Sequence, residues 1–159
     1  MHHHGRIRRF ISVLILGTAG FAVALLMTAT SASAATTPAF TLKSSISGGI
    51  TTVQTGQTLT FVFTETNQST HAASRDIVIT KVTKASVTAL TCVDPSGFAF
   101  NPDGYFCEPG LLQPGQQVSS VLTTTVTGAS GAVASARACL FNEKTGVYTQ
   151  CRTRSVKIA

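Results

Sequence analysis

Four cysteines, Cys92, Cys107, Cys139 and Cys151, carry the most definite chemistry in this chain. Their number is even, and none of their spacings forms the close Cys-x2-4-Cys pairs of a structural zinc site, so two disulfides are expected. Three pairings are open. Cys139 and Cys151 lie equidistant from Thr145 in the turn region Asn142–Gly146, and closing that hairpin sets them opposite each other at bridging distance. Cys92 and Cys107 flank the segment that holds Asn101-Pro102-Asp103-Gly104, where a crosslink would add about 3 kcal/mol through the unfolded state. The local pairing, Cys92 with Cys107 and Cys139 with Cys151, is favoured.

No other set of side chains has the pattern of a reaction centre. His71 stands in the polar stretch Gln68–Arg75, which reads as an exposed loop with no partner set for catalysis or metal binding. Serine and threonine are abundant, yet no Gly-x-Ser-x-Gly elbow occurs, and they read as strand surface. Asp94, Asn101, Asp103 and Glu108 bring oxygen ligands to one region without a calcium-loop spacing, and turn residues are the simpler reading. No catalytic residue, cofactor or metal is expected. Phe98, Phe100, Tyr105 and Phe106 crowd around the proposed turn. Burial over one end of the fold is the favoured reading for them, and exposure of two or more would make them a candidate binding surface. Arg152, Arg154 and Lys157 give the last strand a basic run, which reads as edge protection ahead of contact with an anionic wall polymer. Asn67-Gln68-Ser69 also fits a glycan acceptor, a pattern common by chance.

The elements that position these residues are strands. Thr58–Thr64 puts Leu59, Phe61 and Phe63 on one face at a period of two, and Gln117–Thr127 does the same with Val118, Leu122 and Val126. Further strands are expected from Phe40, over Asp76–Val82 and Ser86–Cys92, and in a last hairpin of Ala132–Phe141 and Val147–Ile158. In that hairpin Ala134, Ala136, Ala138 and Leu140 share a face, but Arg152 and Arg154 fall on it too. Asn101-Pro102-Asp103-Gly104 suits a hairpin tip, with Pro preset for the second position. Helical periodicity is absent, so the fold class is all-β, an antiparallel sandwich of about seven strands.

Residues 1–34 read as a cleavable secretory leader: Arg6, Arg8 and Arg9, a charge-free apolar run from Phe10 to Met27, then Ala32-Ser33-Ala34. An uncleaved anchor is the competing reading. Cleavage after Ala34 leaves residues 35–159 as one domain, secreted and without membrane attachment. Of the twelve Lys and Arg, three belong to the leader, so nine face six Asp and Glu, a net of +3. That balance is too weak and scattered for nucleic acid.

Val53-Gln54-Thr55-Gly56-Gln57-Thr58-Leu59-Thr60-Phe61 followed by Thr66-Asn67, and later Leu112-Gln113-Pro114-Gly115-Gln116, resemble two markers of the Ig-like conserved-repeat domain of unknown function in bacterial exported and surface proteins. That family often carries a cysteine pair before the second marker, where Cys92 and Cys107 stand. The chain departs from it in having one copy and in showing Ala134-Ser135-Ala136 in place of an Asn-x-Ala element. The resemblance implies an Ig-like sandwich, an extracellular setting and no catalytic residue. The expected role is a non-enzymatic structural or interaction module whose partner is a cell-wall polymer or a secreted protein. Carriage of a small apolar ligand is the alternative, and a small secreted hydrolase stands further off.

Overall fold

The computed structural model describes residues 39–159, so the leader expected over residues 1–34 lies outside the described residues. Ten strands follow in order: β1 Phe40–Ile46, β2 Thr52–Val53, β3 Thr58–Asn67, β4 Asp76–Thr83, β5 Ala85–Val93, β6 Ala99–Phe100, β7 Phe106–Cys107, β8 Gln117–Val126, β9 Val133–Asn142 and β10 Val147–Ile158. Seven are long, as expected, and β2, β6 and β7 are two-residue additions that the sequence pattern is too short to show. Among the described residues no helix is long and apolar enough to cross a membrane.

The first sheet has the order β1-β3-β8-β5-β6 and the second β2-β10-β9-β4-β7. Numbering only the long strands by letter gives A-B-E-D against G-F-C, the arrangement of an immunoglobulin constant-type sandwich. The alternating faces meet as the period of two requires: Leu59, Phe61 and Phe63 from β3 and Leu122 from β8 are fully buried against Ile77, Ala136, Ala138 and Leu140 of the second sheet. Each large side chain among them contributes about 1.5–3 kcal/mol of transfer free energy. With no tryptophan in the chain, phenylalanine and leucine supply the bulk of the core.

β4 passes into β5 through one residue, Lys84, which leaves one sheet for the other at φ 56°. Its carbonyl accepts the N–H groups of Thr127 (3.0 Å) and Gly128 (3.2 Å), fixing this corner to the chain leaving β8. Gly128 is required there by space, since a Cβ would stand 2.5 Å from the Ile158 side chain and 2.8 Å from Cβ of Lys84.

Both favoured disulfides form. Cys92–Cys107 is fully buried and crosses the core from β5 to β7, so it ties the two sheets together rather than only tethering a loop. Cys139–Cys151 links directly opposed residues of β9 and β10, on the outward face of the second sheet. The turn alone gives the register Val147↔Asn142 and Tyr148↔Phe141, which would leave Cys151 one residue out of line. An irregularity between Tyr148 and Cys151 corrects this, so the opposition of the two cysteines depends on a bulge and does not follow from their equal distance from Thr145.

The same bulge directs Gln150 at the free edge of β1, where its Oε1 accepts the Leu42 N–H (2.8 Å) and its Nε2 donates to the Phe40 carbonyl (3.2 Å). The amide imitates a neighbouring strand and covers an edge. The alanine face of the last hairpin is the buried one. Arg152 and Arg154 stand opposite Ala138 and Ala136 and remain exposed, because β10 is an edge strand over most of its length.

Candidate binding surface

The path of the chain between β5 and β8 decides which of Phe98, Phe100, Tyr105 and Phe106 reach solvent. Asp94 opens it: Oδ1 accepts the Ser96 hydroxyl (2.6 Å) and the N–H groups of Ser96 and Phe98 (2.9 Å each). These donors, the Ser96 hydroxyl foremost, hold the Asp94 carboxyl below its ordinary range. The turn projects Phe98 outward and folds Ala99-Phe100 back along β5, where Phe100 pairs with Cys92 and packs on the core.

A second turn lies at Asp103–Phe106, two residues beyond the expected tip. Asp103 and Phe106 exchange both backbone hydrogen bonds (3.0 and 3.1 Å), and Gly104 takes φ 60° at the first corner. Such a corner needs positive φ, which Gly104 supplies and Pro102 cannot. The two arms also belong to different sheets, β6 to the first and β7 to the second, so the expected simple hairpin is instead a strap across one end of the sandwich.

Burial of the aromatic cluster, the favoured expectation, does not occur. Phe98 is 69% exposed, Tyr105 57% and Phe106 37%, and Phe100 alone is half-buried. The space they would fill is taken by the Cys92–Cys107 bridge and by Leu112, whose backbone pairs with Ala73. Leu111 beside it is 73% exposed, an apolar surface residue with no periodic pattern to reveal it.

The polar groups behind the strap are occupied by structure. Asn67 is fully buried: Nδ2 donates to the carbonyls of His71 (2.9 Å) and Leu112 (2.8 Å), while Oδ1 accepts the N–H (2.9 Å) and hydroxyl (2.7 Å) of Ser69. Its amide is spent on the turn and is closed to a glycan in the folded state. His71 is exposed, with Nδ1 against the Thr70 hydroxyl. Among the described residues no group of three or more His, Cys, Asp or Glu is placed to hold a metal ion.

Sequence reasoning missed Glu65, although it continues the inward series Leu59, Phe61, Phe63. Its Oε1 accepts the Arg75 N–H (3.0 Å), and Oε2 has no partner. Burial pushes its pKa to about 8 against the lowering effect of Arg75. Asp76, also buried, is pushed to about 6 by desolvation and then by Glu143 and Glu108. An open concavity of about 260 Å³ beside this acidic end is lined by Arg75, Asp76, Glu143 and Leu111, among others. The Arg75 guanidinium lies 4.5 Å over the Phe40 ring.

No protein-family model matches the chain, and no curated protein matches it. Several solved structures are distantly similar to it. AvmM, described as catalysing macrocyclization in alchivemycin A biosynthesis, is 12% identical with a TM-score of 0.44, over 74% of this chain and 88% of its own. The CARDB domain of a Pyrococcus furiosus protein, described in complex with di-metal ions, is 16% identical with a TM-score of 0.40, over 77% and 97%. A conjugative transposon lipoprotein from Bacteroides eggerthii is 12% identical with a TM-score of 0.39, over 77% and 98%. Likeness at this level carries no activity from one protein to another.

Proposed function

We propose that this chain is an exported, non-enzymatic Ig-like module, related to the bacterial conserved-repeat domains it resembles, that acts by binding a partner outside the cell. The observation that carries this reading is the strap: Phe98, Tyr105 and Phe106 stand in solvent on a segment fixed by a buried inter-sheet disulfide. Rigid exposed aromatics lose little conformational entropy on binding, and such residues dominate interface energetics. The leader-like residues 1–34 and the two disulfides support an oxidising, extracellular setting.

The test is a binding screen of residues 35–159 against wall polymers, glycans and secreted proteins, with Phe98→Ser/Phe106→Ser as the control. Capture that the double variant loses supports the reading. Turnover of any substrate at a defined site, or capture unaffected by the variant and by every other surface change on the strap, overturns it.

Carriage of a small apolar ligand is favoured by one feature, a concavity of about 330 Å³ lined by Pro95, Phe100, Pro109, Leu111 and Leu112 together with polar Asp94, Ser96 and Gln116. Titration with an environment-sensitive apolar dye, repeated on Phe100→Ala and Leu111→Ser, tests it; equal signal from all three proteins excludes the site.

A further inference from the structure

The acids of this domain are gathered at one end, with Arg75 and Lys144 among them. All six acids lie at or near the strap end: Glu65, Asp76 and Glu143 at strand termini or the adjoining turn, and Asp94, Asp103 and Glu108 within the strap. Lys81, Arg137, Arg152, Arg154 and Lys157 occupy the middle and far part of the second sheet, where no acid stands beside them.

Lys81 of β4 and Arg137 of β9 are paired directly across the sheet, both exposed. Like charges so placed oppose each other and reduce stability. An irregularity in β4 between Ile79 and Lys81 leaves Thr80 as an extra residue beside this pair, and both Thr80 and Lys81 are at the surface. Across from Arg137 on its other side is Thr153 of β10, while the neighbouring Arg152 and Arg154 stand opposite Ala138 and Ala136 and so belong to the other face of this edge strand. At the opposite end of this row, Tyr105 is held against β4 by a bond from the Ile79 N–H to its carbonyl (3.0 Å). Tyr105, Thr80 and Lys81 line a concavity of about 310 Å³ with Ile79, Val82 and Val87.

We propose that the outer face of the second sheet binds an acidic polysaccharide bearing carboxylates, with a sugar ring seated against Tyr105 and the chain running across the strands over Lys81 and Arg137 toward Thr153. This adds a partner class on a surface that shares only Tyr105 with the strap aromatics, and it rests on the reading of the chain as a binding module. The row supplies what such a polymer needs. Lys81 and Arg137 stand about one strand spacing apart, roughly 4.8 Å, which suits two successive charges of an extended chain. The aromatic ring and the threonine hydroxyls offer a stacking face and hydrogen bonds beside the charges, which a bare polyphosphate would leave unused. Guanidinium groups accept carboxylates in bidentate fashion. A bound polyanion would also relieve the repulsion between Lys81 and Arg137.

The experiment uses polygalacturonate, with its fully methyl-esterified form as the uncharged counterpart and polyphosphate as the ring-free one, in titration calorimetry against residues 35–159. Lys81→Gln/Arg137→Gln, Tyr105→Ala and Phe98→Ser are compared, all at exposed positions, with thermal unfolding as the check on folding. Binding of polygalacturonate is expected, weakened by salt and absent for the esterified polymer. The double variant should lose about tenfold in affinity while unfolding at the same or a higher temperature. Tyr105→Ala should lose affinity for polygalacturonate alone, and Phe98→Ser should bind normally. Equal affinity of the double variant, equal binding of polyphosphate and polygalacturonate, or no binding of polygalacturonate overturns the proposal. If polygalacturonate fails while another partner is captured through Phe98 and Phe106, this inference falls and the binding role stands.

Discussion

Glu65→Gln isolates the most perturbed group in the domain. The wild-type carboxyl is fully buried, accepts one hydrogen bond from the Arg75 N–H and leaves Oε2 unpaired. Its folded pKa, about 8, lies above the ordinary carboxyl value of about 4.5, so the neutral acid is the form the fold holds. Stability from that preference is fully present below the unfolded pKa and is lost as pH rises through the folded one. At about 1.4 kcal/mol per unit, the wild type should lose a few kcal/mol between about pH 5 and pH 8 from this group alone. Glutamine keeps the acceptor for Arg75 and cannot ionise, so the variant lacks that slope. Asp76, raised to about 6, acts in the same direction in both proteins. Urea unfolding of both proteins at several pH values, with disulfides intact, measures the difference directly. The two should be nearly equally stable in acid, and the variant should be the more stable by a few kcal/mol at about pH 8. Parallel pH profiles would refute the assignment of a neutral buried Glu65.

Three further outcomes follow from the packing. Cys92→Ala/Cys107→Ala should lose at least about 3 kcal/mol in urea unfolding, and more than Cys139→Ala/Cys151→Ala, because the first bridge also fills the core between the sheets while the second joins strands already paired. Gly128→Ala should cost about 1–3 kcal/mol by forcing Ile158 and Lys84 apart, read as a fall in melting temperature. Gln150→Ala removes both bonds that cover the β1 edge and should cost about 1–2 kcal/mol, with faster hydrogen exchange at the Leu42 amide as its specific sign.

What the sequence made legible is what a period of two can encode. Leu59, Phe61, Phe63, Val118, Leu122 and Val126 announced their face because each strand buries one side, and the faces alone fix the two-sheet plan. Features set by a local break in that period stayed hidden. The bulges near Gln150 and Thr80 have no composition signal, yet one aligns Cys139 with Cys151 and the other leaves Thr80 at the surface beside Lys81. The displaced turn at Asp103–Phe106 is a competition between two local preferences, Pro102 as a second-position residue and Gly104 as a positive-φ corner, decided by pairing of β7 with β4. Glu65 was visible in principle: a charged residue continuing an apolar alternation is either the end of a buried face or a buried charge, and tertiary cover by the strap end makes it the second.

The same logic separates the two halves of the candidate surface. Phe98, Tyr105 and Phe106 could be identified from type and crowding, but their exposure depends on whether the end of the sandwich is already full, which the Cys92–Cys107 bridge and Leu112 determine. Lys81 and Arg137 lie 56 residues apart by their numbering and become neighbours only through the pairing of β4 with β9. If Thr80 were deleted, the ladder would close without the bulge, with Ile79 opposite Ala138 and Lys81 still opposite Arg137, so the cation pair would stay on the outer face. Deletion of Thr80 should therefore leave polygalacturonate binding largely in place. Lys81→Gln, which leaves the bulge in place, should weaken binding without a fall in melting temperature. A deletion variant that folds but no longer binds would show that the Lys81/Arg137 pair does not carry the surface.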